Sequence, residues 1–140
     1  MKTSSELKVK PINKLNTNSK IIKTIIEAII EKKGTEIVSL NLKKIPEAVS
    51  DFFIICEANN PNNLKAIADN VEKRVLEKCG EKPYRFEGKQ GEKWILIDYI
   101  NVVVHCMMSE ARYFYNLEEV WHDAERKEYK EPEKQTQIKY

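Results

Sequence analysis

The sequence predicts an α/β (α+β) fold, a mixed and roughly five-stranded sheet flanked by helices. Three observations point to it. Ile21, Ile22, Ile25, Ile26, Ile29 and Ile30 recur in pairs four apart, the spacing of one buried helix face. Leu64, Ile67, Ala68, Val71, Val75 and Leu76 make a second such stripe. Around these lie short apolar runs of strand length, DFFIIC, WILIDY and VVVHCM, too short for helices and rich in β-branched and aromatic residues.

Taken in order, residues 1–19 are polar and Lys-rich and form a flexible basic arm, because they carry too little apolar surface to offset their ordering entropy. A helix then runs from Ser19 or Lys20 to near Gly34. Glu36 to Leu42 alternates apolar and polar residues as a half-buried strand does, and Pro46 marks the loop that follows. Asp51 to Cys56 is almost wholly apolar and reads as a central strand covered on both faces. In EANNPNN, Asn60 or Asn62 caps the second helix, which Cys79 and Gly80 end. Pro83 to Glu87 is a short strand, GKQGEK a polar turn, and Trp94–Tyr99 with Val102–Met107 a hairpin about Ile100 and Asn101. Ser109 is placed to cap a short helix, and Asn116 with Glu119 has capping-box spacing for another. The body is therefore residues 20–124, and 125–140, charged and without periodicity, is read as a flexible tail.

Composition narrows the function. With 41% hydrophobic and 33% charged residues the chain is an ordinary globular one, and no run of about 18 apolar residues exists to span a bilayer. The first residues lack the apolar core of a secretory signal, so a cytoplasmic protein is expected. Cys56, Cys79 and Cys106 form no C-x-x-C pair, so reduced thiols are expected and no structural zinc. The net charge of +2 conceals an asymmetry: residues 1–20 hold five Lys and one acid, whereas 94–124 hold Asp98, Glu110, Glu118, Glu119 and Asp123 against Arg112. An acidic surface does not suit phosphate, so neither RNA nor DNA is an expected partner of this region and a basic protein is.

No catalytic set emerges. On a strand, adjacent residues point to opposite faces, so Cys106 turns away from His105 and the two cannot act as nucleophile and base. With a two-residue turn, Leu96 lies opposite His105, and Trp94, Asp98, Val103 and Met107 share their face, putting Asp98 diagonal to His105. Two histidines and no metal motif give no metal site. Neither phosphate-binding glycine motif occurs among the four glycines, so no nucleotide cofactor is implied. Ser50-Asp51-Phe52-Phe53 supplies one acid where a two-metal D-x-D pair would supply two. Six of the aromatics, Trp94, Tyr99, Tyr113, Phe114, Tyr115 and Trp121, fall between residues 94 and 121. Phe114 and Trp121 are expected to close the core, and the rest, beside acids and Arg112, suit a protein interface.

Four stretches, SDFFII (Ser50–Ile55), AIADNVE (Ala66–Glu72), WILIDY with VVVH (Trp94–His105) and E-A-R-x-F-Y-N-L-E-x-x-W (Glu110–Trp121), resemble the ribosomal silencing factor family, also called Iojap-related, over about residues 20–125. The resemblance implies a non-enzymatic factor that binds ribosomal protein L-fourteen on the large ribosomal subunit, blocks subunit joining and represses translation. It also implies a nucleotidyltransferase-like fold without the catalytic acids, and a homodimer when free. Where the family usually has D-Y-G-D-V, this chain has Asp98-Tyr99-Ile100-Asn101-Val102, lacking the turn glycine and one acid. The expected partner contacts are Trp94, Asp98, Tyr99, His105, Glu110, Arg112 and Tyr115. The competing readings are a nucleotidyltransferase-like enzyme, which requires ATP and a divalent metal, and an RNA-binding module led by the Lys-rich arm.

Overall fold

The structure, a computed structural model, describes residues 15–89 and 93–130. The elements are α1 (Lys20–Glu31), β1 (Thr35–Asn41), β2 (Phe52–Ala58), α2 (Pro61–Cys79), β3 (Arg85–Lys89), β4 (Trp94–Asp98), β5 (Val102–Met108), α3 (Ser109–Tyr115), α4 (Leu117–Val120) and β6 (Glu125–Tyr129). One six-stranded mixed sheet has the order β3-β4-β5-β2-β1-β6. β2 and β5 run parallel with Phe52 beside Val102 and Cys56 beside Cys106. The other four pairings are antiparallel. The α2 helix lies within the crossover that parallel neighbours require.

The isoleucine stripe explains α1. Ile22, Ile25, Ile26 and Ile29 are buried against the sheet, each contributing roughly 1.5–3 kcal/mol of apolar burial. α2 starts on Asn60, whose side chain accepts from the Asn63 amide at 2.7 Å, with Pro61 in the first turn. It stops on Gly80, which at φ +70 donates its amide to Leu76. The two helices are joined by a polar clamp: the Asn70 amide nitrogen donates to the Ala28 carbonyl (2.9 Å) and to Glu31 (2.8 Å), and Arg74 reaches Glu31 at 3.0 Å. One sheet face carries α1 and α2, over Ile37, Phe52, Ile54, Cys56, Ile97, Val104 and Cys106. The other, over Val38, Leu40, Phe53, Ile55, Leu96, Val103 and Met107, is packed by the loop near Ile45 and by α3 and α4. Cys106 and His105 do lie on opposite faces.

Four expectations change. The sheet has six strands because Glu125–Tyr129, read as the start of a flexible tail, pairs with β1 from Asn41 to Ile37. Its first four residues are exposed, so it has no hydrophobic alternation; backbone pairing makes it a strand, helped by Tyr129, which packs on the core and shares a hydrogen bond with Ser39 at 3.0 Å. Residues 131–140 of that tail lie outside the described residues, as do 1–14 of the arm and 90–92 of the predicted turn. At its described root, however, Leu15 packs partly against the core and its carbonyl accepts from Lys43. Ser109 is the first residue of α3 and not its cap; Met108 precedes it, and its amide bonds the Lys93 carbonyl. Asn116 is no capping-box residue: at φ +44 it closes α3 on the Arg112 carbonyl, and its own carbonyl takes the Glu119 amide to open α4. Asparagine is one of the few residues that adopt this conformation readily.

Candidate functional site: an aromatic face on the sheet

The hairpin pairs as the two-residue turn requires, Trp94 with Met107, Leu96 with His105 and Asp98 with Val103. This register sets a row of rings across one face. Trp94 stacks tilted on Tyr115 with centroids 4.9 Å apart, and Phe114 meets Tyr115 edge-on at the same distance. Trp94 donates its indole N–H to Nδ1 of His105 at 3.1 Å, so a neutral imidazole carries its proton on Nε2. His105 in turn meets Phe53 at 4.5 Å, and Phe53 meets Trp121 at 6.1 Å. The row therefore runs from the exposed end of α3 through β4, β5 and β2 to the residue that closes α4.

The seven expected contact residues divide by burial. Glu110 is exposed, and Trp94, Asp98 and Tyr115 are half-buried. Tyr99, His105 and Arg112 are buried, and Tyr99 points into the opposite core. Burial pushes the Tyr99 phenol up, helped by the charges of Glu72 and Glu81. Arg112 is an internal clamp. Its guanidinium donates to both Glu118 oxygens (3.0 and 2.9 Å) and to the Glu36 carbonyl (2.5 Å), and it lies 3.6 Å from Glu57. Arg126 of β6 closes the cluster at 2.7 Å from Glu118. The hydrogen bonds from Arg112 hold the Glu118 carboxyl below the usual carboxylate range; burial opposes them and Arg126 adds to them.

Three acids of the acidic stretch are thus matched by cations from elsewhere in the chain. Asp98 lies 3.4 Å from Arg85, Glu110 is 2.6 Å from Lys93, and Glu118 takes Arg112 and Arg126. Asp98 also accepts from the Ile100 amide at 2.7 Å, which supports the hairpin turn. Besides Arg112, Phe114 lies elsewhere than the sequence led us to expect. It is 76% exposed and, with Tyr113 at 87%, it stands out from α3, because Ala111, Arg112 and Tyr115 take the sheet-facing positions of that short helix. Lys93, Glu110, Ala111, Phe114 and Tyr115 line a shallow depression there. Phe53 was missed too; its face follows from the parallel β2–β5 pairing, which no local pattern reports.

Fold and face together define a mixed α/β protein with a row of aromatic rings across one face of its sheet. Among the described residues, no group of three or more His, Cys, Asp or Glu is placed to hold a metal ion, and no helix is long and apolar enough to cross a membrane. The family model "Ribosomal silencing factor during starvation" matches residues 15–139. A ribosomal silencing factor of Halalkalibacterium halodurans is 37% identical over 108 residues, which are 77% of this chain and 91% of that protein. A mouse protein named mitochondrial assembly of ribosomal large subunit protein 1 is 32% identical over 74 residues, 51% of this chain and 32% of that one. Among solved structures, a Chromobacterium violaceum protein superposes with a TM-score of 0.67 at 30% identity, covering 73% of this chain and 83% of that one. The chain belongs to the ribosomal silencing factor family.

Proposed function

We propose that the chain docks on the large ribosomal subunit through ribosomal protein L-fourteen, and that its bulk there obstructs joining of the small subunit and so represses translation in the cytoplasm. The observation that carries this reading is the aromatic row ending in exposed Phe114, with exposed Tyr113 and Glu110 on the same short helix. An exposed phenylalanine flanked by tyrosines on a rigid sheet has the character of an interface anchor. The family's name and the mouse relative's, which refers to the ribosomal large subunit, support it. Trp94, Glu110 and Tyr115 are then direct contacts, joined by Phe114, with Asp98 at the rim. Tyr99, His105 and Arg112 act from behind by holding the surface in shape. The action is steric and non-enzymatic, and a free homodimer would use part of the same face.

Sedimentation with large subunits tests this. Phe114→Ala is expected to weaken binding by about tenfold or more, as truncation of an anchor does. Glu110→Lys is expected to weaken it with little change in stability, because an exposed pair such as Glu110–Lys93 contributes at most ~1 kcal/mol. Absence of any association with large subunits at low salt refutes the reading. A clear heat on titrating ATP with Mg²⁺ would favour an enzyme instead.

A further inference from the structure

His105 is the one member of the aromatic row whose side chain type changes charge between about pH 5 and 8. It is 3% exposed and fixed in the middle of β5, with Ile55 of β2 beside it on one side and Leu96 of β4 on the other. Its Nδ1 accepts the Trp94 indole N–H at 3.1 Å, and the Phe53 ring lies against it at 4.5 Å. A neutral imidazole can accept that bond and an imidazolium cannot, because the second proton goes onto Nδ1 itself. Protonation therefore sets two N–H donors against each other.

Trp94 is placed to respond. It is half-buried, it is the first residue of β4, and Tyr115 of α3 stacks on it with centroids 4.9 Å apart. Phe114, the exposed anchor, lies 4.9 Å beyond on Tyr115. A displaced indole thus reaches the docking face through two ring contacts.

The charges that could settle an imidazolium in place are engaged elsewhere. On β4, Asp98 holds Arg85 and the Ile100 amide. On β2, Glu57 lies 3.6 Å from Arg112 of α3, and on α4 Glu118 takes Arg112 and Arg126. The loop at Ile45 adds Lys44 and Glu47, both exposed, and α3 adds the Tyr115 phenol.

We propose that His105 is a proton-operated switch behind the docking face. Its neutral form holds Trp94 and the rings beyond it in the arrangement that docks; its protonated form releases Trp94 and weakens docking as the pH falls. The consequence for docking rests on the docking reading, whereas the coupling of His105 to Trp94 is a property of the free protein.

The test uses the full chain from about pH 8 to about pH 5, carrying His122→Gln so that His105 is the sole imidazole. Nuclear magnetic resonance follows the His105 ring and the Trp94 indole N–H, sedimentation follows binding to large subunits, and circular dichroism follows folding. The expected result is that ring and indole change at one midpoint. Trp94→Phe should raise that midpoint, because the neutral ring loses its hydrogen bond. Apparent affinity for subunits should halve at the midpoint and be about tenfold lower one pH unit below it, as the docking-competent fraction falls. His105→Asn offers a carboxamide oxygen to the indole N–H but takes no proton, so its binding should change by less than about twofold over the range. If His105→Asn does not fold, the paired midpoints and Trp94→Phe decide. A ring that stays neutral down to about pH 5, an indole signal that does not follow it, or a folded His105→Asn as pH-sensitive as the parent overturns the proposal. Subunit binding that ignores a titrating His105 refutes this inference and keeps the docking reading. Coupled ring and indole titrations without subunit association at any pH uphold the coupling and refute the docking reading.

Discussion

Replacing Glu118 by Gln separates the Arg112 clamp from the partner surface. Glu118 receives three charge-assisted hydrogen bonds, two from Arg112 and one from Arg126, and through them α3, α4 and β6 are tied to the β1 carbonyl of Glu36. Glutamine keeps one acceptor and turns an N–H₂ toward a guanidinium, so at least one bond worth ~1.5–3 kcal/mol is lost. Removing one partner of a fully buried pair costs roughly 3–5 kcal/mol. Here the side chain of Glu118 is 19% exposed and Glu57 remains 3.6 Å from Arg112, so a loss of about 2–3 kcal/mol is expected. With a urea m-value of ~2 kcal/mol per molar for a chain of this size, the unfolding midpoint should fall by about 1–1.5 M at pH 7. The sign of the pH dependence follows from the lowered carboxyl: its contribution is complete above the unfolded value of ~4.3 and is lost as pH falls through the lower folded value. The urea curves of the two proteins should therefore converge toward pH 3. A gap that persists undiminished at pH 3, or one below about 0.5 kcal/mol at pH 7, would refute the reasoning.

Ile100 sits at φ +74 with the Asn101 amide bonded back to the Tyr99 carbonyl, a rare and strained γ-turn for a β-branched residue. Relief of roughly 1–3 kcal/mol exceeds the ~0.5–1 kcal/mol that glycine costs in chain entropy, so Ile100→Gly should raise stability by about 1 kcal/mol; a lower melting temperature in calorimetry would contradict this. Gly34→Ala should destabilise by about 1–3 kcal/mol, because a Cβ there would stand 2.4 Å from Ile29 Cγ2 and 3.2 Å from Ile67 Cδ1. An unchanged urea midpoint would mean the α1–β1 junction yields freely. Cys56 and Cys106 are fully buried, and the hydrogen bond between them, with burial, pushes the Cys106 thiol up, while Cys79 is half-buried. In native buffer a thiol reagent followed by mass spectrometry should label Cys79 first and the other two only at the rate of unfolding.

Legibility followed the physical range of each signal. The isoleucine stripe, the Asn60 cap and the Gly80 stop are local, and the structure shows them where the pattern put them. The hairpin register was also readable, because a two-residue turn leaves little freedom in pairing, and it placed Trp94, His105 and Met107 on one face. β6 was not, since Glu125–Tyr129 is charged and gains its conformation from the edge of β1. Arg112 and Phe114 were misjudged for one reason: their environments depend on which side of a seven-residue helix meets the sheet, and Arg112 finds its partners on β1, α4 and β6.

By itself the sequence determined every element except β6, the opposed faces of Cys106 and His105, and the family, because periodicity, caps and motifs are written in neighbouring residues. Tertiary structure decided which charges are already matched and which rings are free. An ion pair or a burial depends on groups brought together across the fold, as Arg85, Lys93 and Arg126 are to Asp98, Glu110 and Glu118.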